Sequence, residues 1–382
     1  MRKIYLDNAA TTQLREEVIN KMQASLKEFY GNPSSTHSFG RSSKTVIEKS
    51  RKTIAKYLNA QPSEIIFTSG GTEADNMILL GAVRDLKVTT IITAKTEHHA
   101  VLNTIEQLKK TYRIEVKYVA LETDGTPDLE DLSNLLASDS SKKIVSLMHV
   151  NNEIGNIIDI DKVADLCKEY DALFHSDTVQ SIGHLEWDLQ KTQVDFLTAA
   201  AHKFHGPKGI GFAFIRKNSG LKPMICGGEQ ERGYRAGTEY FHNIVGLETS
   251  FTLAYDNLEE ERAYVADLKA YFISSIKEAF PTVRFNGSCQ DTAKSTYTLV
   301  NITLPLAPQK SEILLFHLDI NGIACSKGSA CQSGSNNGSH VLNAILRDEE
   351  LEKTALRFSF SKFNTKDEID YVVKVLVDFS KN

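Results

Sequence analysis

Lys203 sits in the segment TAAAHKFHGPKG, directly after an apolar run and before a Gly-Pro turn. An apolar setting favours the neutral amine, and a neutral amine can form a Schiff base with a carbonyl cofactor. A surface lysine is the plain alternative. His202 and His205 flank it and, three apart, could also suggest a metal, although no third ligand lies nearby in sequence. Asp177 follows the strand-like ALFHS, which puts it at the C-terminal end of a parallel strand, where ligands of open α/β sheets bind. A carboxylate there can pair with a protonated ring nitrogen or simply cap a helix; Gln180 lies three residues on. In Ser69-Gly70-Gly71-Thr72-Glu73 the glycines let the backbone approach an anion, and the helix that follows offers free N–H groups at its positive end. His98 and His99, in KTEHHAVL, follow another strand, and one of them could lie on the face of a flat cofactor or pack in the core. Asn152 follows a strand in HVNNEIG. Cys331 stands in SKGSACQSGSNNG, residues 326–338, a Gly/Ser/Asn stretch that favours an exposed and mobile thiol.

These residues need strands that end together and helices that start there. Strand-like and helix-like segments alternate through the first two-thirds of the chain. Glu64–Ser69, Thr90–Ala94, Val116–Val119, Lys143–Val150, Ala172–Ser176, Val194–Ala199 and Ile210–Ile215 read as strands. Helices are expected after the glycine turn at Gly70, over His99–Lys110 and over Asp161–Tyr170. The pattern predicts an α/β fold with a mostly parallel sheet covered on both faces. Near Leu253 it changes to a long charged helix from about Asn257 to Ala279, strands at Tyr297–Leu304, Ile323–Cys325 and Leu356–Phe360, and helices at Lys310–Leu318 and Lys366–Phe379. The expected organisation is a large domain over 13–253 and a smaller α+β domain formed by 1–12 and 254–382, which carries the loop 326–338.

Composition narrows the function. Of 382 residues, 41% are hydrophobic and 24% charged, enough for an ordinary core. The net charge of -5 offers no basic field for nucleic acid or anionic membranes. No apolar run approaches the roughly 18 residues that span a bilayer. The N-terminus MRKIYLDNAATT has no apolar stretch behind its basic residues, so a cytoplasmic location is expected. Five cysteines without a CxxC pair argue against a disulfide framework. GxGxxG and GxxxxGK[ST] are both missing, which leaves Rossmann and P-loop nucleotide sites unsupported.

Taken in order, YLDNAATT, GNPSSTH, FTSGGTEADN, KTEHHAVL, HVNNEIG, HSDTVQSIG, AHKFHGPKG, ERGYRAGTE, GSACQSGS and LRFSFSKF resemble the cysteine desulfurases of the nitrogen-fixation and iron–sulfur-cluster type, within the class V aminotransferase-like fold. The resemblance covers essentially the whole chain. It implies a homodimer that binds pyridoxal 5'-phosphate (PLP), uses L-cysteine and hands sulfur to an acceptor protein such as an iron–sulfur scaffold. By that resemblance Lys203 carries the cofactor, Asp177 partners its pyridine nitrogen, Gln180 reaches its phenolic oxygen and His98 stacks on its ring. Gly71, Thr72 and His202 resemble phosphate ligands, and Thr238 in RAGTE a threonine that reaches the phosphate from the other subunit. Asn32, Asn152 and Arg357 resemble the residues that hold the substrate carboxylate, and Cys331 the nucleophile that takes the sulfur. Three positions depart from the pattern: Ala200 stands where a hydroxyl residue is common, Cys325 where serine is frequent, and Gly338 where proline often ends the loop. Within PLP enzymes the alternatives are a selenocysteine lyase or a class V aminotransferase; outside them, a catalytically idle sulfur-relay scaffold.

Overall fold

A computed structural model describes residues 2–327, 338–351 and 353–381 of the chain. Cys331 and most of the loop expected over 326–338 lie outside the described residues.

Among the described residues, seven strands form the main sheet, in the order Ile65–Thr68, Gly211–Ile215, Phe196–Ala200, Leu173–Asp177, Lys143–Ser146, Thr90–Thr93 and Glu115–Tyr118. All neighbours are parallel except those of Gly211–Ile215, which runs antiparallel to both its partners. Five of the seven are buried at every position, as a sheet covered on both faces requires. One face packs against helices that contribute Ile47, Ile54, Val163, Leu247 and Phe251; the other packs against Ala74, Met77, Ile78, Val101 and Ile105.

The strand read from Lys143 to Val150 stops its regular pairing at Ser146. The apolar run continues, but the Met148 amide donates to Glu97 Oε1 at 2.7 Å and the His149 amide to the Asp177 carbonyl at 3.0 Å. The chain leaves the sheet there, at the edge of the site.

A second core lies around the antiparallel strands Arg284–Phe285, Leu299–Thr303 and Ala355–Ser359, packed against the helices Leu258–Ala279 and Lys366–Lys381. Ile4 and Leu6 belong to this core, and Ile4–Tyr5 pairs in parallel with Ile323–Ala324. The chain then crosses to the main sheet, where the Thr12 amide donates to the His202 carbonyl at 2.9 Å. The crossing drapes residues 7–12 over the C-terminal ends of the parallel strands. No helix among the described residues is long and apolar enough to cross a membrane.

Candidate active site

The cavity at the C-terminal ends of the strands has a volume of about 260 Å³. Gly71, Thr72, His98, Asp177, Gln180 and Lys203 line it, with Asn152, His202 and Arg357. Strand Phe196–Ala200 runs into a single tight turn, Ala201–Lys203, that turns the lysine toward the crossing segment. Lys203 Nζ donates to the carbonyls of Ala9 at 2.6 Å and Ala10 at 2.9 Å, and Gln180 Nε2 donates to the same Ala9 carbonyl at 2.9 Å. The Lys203 carbonyl in turn accepts from His184 Nε2 at 3.0 Å, and Tyr297 lies 3.1 Å from His184 Nδ1.

Asp177 ends strand Leu173–Asp177 and is buried; its Oδ1 accepts from the Val179 amide at 2.9 Å. Burial, and after it the nearby Asp75, hold its carboxyl above the usual carboxylate range, with His98 opposing. Asp75 is also buried, is pushed up to about 7 by burial, and accepts from the Thr198 hydroxyl at 2.8 Å. Ligand atoms of Asp75, His98 and Asp177 lie within 4.8 Å of one another. Two carboxyls so close in the interior either keep a proton, as burial favours and as His175 Nε2 at 3.3 Å from Asp75 can share, or face a cation such as a metal or a protonated ring nitrogen. The lysine and the anion cradle on the same cavity fit the ring nitrogen.

His98 caps the helix His99–Thr111, its Nδ1 accepting from the Ala100 amide at 3.1 Å. In the neutral ring the proton therefore sits on Nε2. Burial lowers its pKa, Asp177 works against that and Lys203 adds to it. The cradle is built from Gly70, with φ of 153°, and Gly71, which opens the helix Gly71–Arg84. A Cβ at Gly71 would lie 2.7 Å from Val179 Cγ2, so the backbone reaches the cavity only without a side chain. That combination suits a phosphate. A cation-seeking carboxylate, an amine, and an anion cradle that a Cβ would fill together match PLP.

Ala200 is buried on the cavity wall, 3.9 Å from where a Gly71 Cβ would stand. A hydroxyl there faces the cradle. Ala200→Ser is expected to tighten PLP binding by about tenfold, the worth of one hydrogen bond to a charged group. An unchanged PLP dissociation constant would show that the hydroxyl contributes nothing.

Arg357 lies on the middle of strand Ala355–Ser359 and is 2% exposed. Its Nη1 donates to the Asn152 carbonyl at 2.7 Å and its Nη2 to Asp7 Oδ1 at 2.9 Å, while its Nε, shielded from solvent, has no partner. The same Asp7 oxygen accepts from the Ser326 hydroxyl at 2.7 Å. Two anchors fix the guanidinium and leave donors for a carboxylate, which a planar fork binds in bidentate fashion. Arg357→Lys is expected to raise KM for the amino acid on the order of tenfold or more and to spare PLP binding. An unchanged KM with a lowered melting temperature would make the arginine structural.

Other expected residues are placed elsewhere. Asn32 lies on an exposed loop, where its Oδ1 accepts from the Ser34 amide at 2.9 Å. Thr238 is exposed and lines a different cavity with Ser69, Arg235 and Glu231. That region is tied to the main sheet by Glu231, which accepts from Arg51 Nη1 at 2.7 Å and from the Phe67 amide at 2.8 Å. His202 and His205 diverge: His202 Nδ1 meets the Thr11 hydroxyl at 3.2 Å, and His205 Nδ1 donates to the Gln13 carbonyl at 2.8 Å. Cys325 is half-buried, and burial, with Asp7 behind it, pushes its thiol up. The sequence reading missed Asp75, Glu153 and His340 on the cavity wall. Asp75 had a signal: an acid three and four residues before the apolar Ile78 and Leu79, hence on the same helix face.

Residues 4–372 match the family model described as aminotransferase class-V. The chain is 42% identical to a protein of Dictyoglomus turgidum named cysteine desulfurase IscS, over 98% of this chain and 94% of the relative. A solved structure described as a NifS-like protein superposes with a TM-score of 0.90 at 34% identity, covering 99% of each chain. Another, described as SspA in complex with cysteine, gives 0.82 at 30% identity over 95% of this chain and 100% of that one.

Proposed function

The chain belongs to the class-V aminotransferase family, and on that premise we propose that it is a PLP-dependent cysteine desulfurase that converts L-cysteine to L-alanine and passes the sulfur to Cys331 as a persulfide. The observation that carries this reading is the convergence of Lys203, Asp177 and Arg357 on one cavity beside the Gly71 cradle. The names of the relatives point the same way.

PLP, when bound, supplies an electron sink for bonds broken at the amino acid's Cα and Cβ. The backbone amides of Gly71 and Thr72, with His202, would hold its phosphate at the helix N-terminus. Asp177 would pair with the ring nitrogen, Gln180 would donate to the phenolic oxygen, and His98 would cover the ring. Arg357 and Asn152 receive the substrate carboxylate, and Lys203 accepts the Cα proton. The Cys331 thiolate attacks the substrate sulfur: an S–S bond forms, the Cβ–S bond breaks, and its electron pair stays with carbon until a proton replaces the sulfur.

The proposal extends to a cytoplasmic homodimer. Asn32 and Thr238 lie outside the cavity of their own chain, so each acts at a partner's site or not at all. The sulfur acceptor is a protein, such as an iron–sulfur scaffold. The separate hydrophobic clusters support a large domain over 13–253 and a small one from 1–12 and 254–382.

PLP-loaded protein given L-cysteine and a reductant is expected to release alanine and sulfide in equal amounts. A keto acid that still carries its thiol would point to transamination and overturn the reading.

A further inference from the structure

We propose that His340 is the residue that recognises the substrate's thiol, its Nδ1 accepting a hydrogen bond from the S–H group; this rests on the cysteine-desulfurase reading above. His340 opens the short helix His340–Ile345 and lines the same cavity as Arg357 and Lys203. Its Nε2 lies 2.8 Å from the Glu97 carbonyl, which can only accept. The ring proton is therefore on Nε2, and Nδ1 presents a lone pair. That Nδ1 is shielded from solvent and has no hydrogen-bond partner among the described residues. Glu153 Oε1 is 4.0 Å away, too far for a hydrogen bond, and Glu153 itself accepts from the Ser339 hydroxyl. The His99 ring, 4.2 Å from the His340 ring between centroids, fixes the plane of the imidazole from the side. Burial lowers the pKa of His340, which keeps the ring neutral and Nδ1 an acceptor near pH 7.

A buried acceptor left unpaired on a residue that lines a ligand cavity is a place for the ligand to supply a donor. The carboxylate of an amino acid has no hydrogen to give, and its amino group is engaged where Lys203 acts. The thiol is the donor that remains. Arg357 holds the Asn152 carbonyl and His340 faces the next residue, Glu153, so the carboxylate anchor and the thiol acceptor flank one dipeptide.

Two substitutions separate this role from packing. His340→Gln keeps an amide that reaches the Glu97 carbonyl and loses the acceptor at the δ position. His340→Asn keeps an acceptor near that position and loses the reach. Each is made together with Cys331→Ala, so that cysteine is not consumed, and the PLP-loaded protein is titrated with L-cysteine and with L-alanine by visible absorbance. His340→Gln is expected to weaken L-cysteine by about three- to tenfold and L-alanine by less than about twofold. His340→Asn is expected to keep most of the parent's preference for cysteine. Equal weakening of the two amino acids, no weakening of either, loss of PLP binding in both variants, or loss of the preference in the Asn variant overturns the proposal. Failure of the underlying reading looks different: the protein with His340 and Cys331 intact would then produce no alanine or sulfide from cysteine.

Discussion

Lys203→Ala is expected to lower alanine formation from cysteine by about 10³-fold or more and to end the fixation of PLP to the chain by borohydride. The size of the effect follows from two tasks on one nitrogen. Nζ is the amine of the cavity that can bond the cofactor carbonyl, and once released it is the base that faces Cα. Two of its partners, the carbonyls of Ala9 and Ala10, are neutral acceptors that give it up without leaving a buried charge behind. The substitution also removes two contacts that hold the crossing segment, so a loss of activity alone would be ambiguous. That segment keeps the bond from Gln180 to Ala9 and the one from the Thr12 amide to the His202 carbonyl. The melting temperature of the variant should therefore fall by no more than a few degrees, about 1 kcal/mol in a chain of this size. Phosphate and ring contacts persist, so the variant should still bind PLP reversibly, and its colour should wash out on dialysis. Turnover near the parent rate, or borohydride fixation at the parent level, would remove Lys203 from the mechanism.

Much of the sheet was legible because burial on both faces leaves little but apolar strands between turn signals. Strand direction was not. Gly211–Ile215 reads like its neighbours, since a strand buried on both faces carries the same apolar run whether it lies parallel or antiparallel. The helix Phe241–Asp256 was not called for a related reason. It buries Asn243, Gly246 and Ser250 as well as Phe241, Ile244, Val245, Leu247 and Phe251, so burial runs around much of its circumference and the polar face that would reveal a helical period is missing.

The local parts of the site were legible for a different reason. Gly71, Asp177 and Lys203 each sit within a few residues of a strand end, so the alternation that predicts the sheet also predicts their meeting place. Their carbonyl partners at Ala9 and Ala10 are more than 190 residues from Lys203 in sequence, and no local pattern links them. The same holds for the Asp7–Arg357 pair and for His340 against Glu97. Such contacts depend on how the N-terminal segment and the small-domain strands close over the sheet, which no single segment encodes. The resemblance to known enzymes supplied Arg357 and Thr238, whose surroundings alone gave no reason to select them.

Cys331→Ala is expected to leave PLP loading and its colour unchanged, to keep L-cysteine binding, and to lower alanine formation by about 10²-fold or more. The rival thiol is Cys325. It follows the short strand Ile323–Ala324 and stands next to Ser326, whose amide and carbonyl pair with Arg357. Burial and Asp7 both raise its pKa, so its thiolate, the form that attacks sulfur, is scarce at neutral pH. Its chain neighbours are both tied down, Ala324 in the parallel pair with Ile4–Tyr5 and Ser326 in the bridge to Arg357, which fixes it where it is. A sulfur carrier must meet the substrate in the cavity and then offer the persulfide to an acceptor outside, and a thiol pinned beside a strand pair meets only one of those demands. Cys331 stands six residues further on, between Ala330 and Gln332 in a stretch of small and polar residues. Cys325→Ala should accordingly retain most of the activity. Peptide mass spectrometry after brief exposure to L-cysteine should place the extra sulfur on the peptide that contains Cys331 and leave Cys325 unmodified. Extra sulfur on Cys325 alone, or parent-rate desulfuration by Cys331→Ala, would move the nucleophile to Cys325 and leave Cys331 without a role in the reaction.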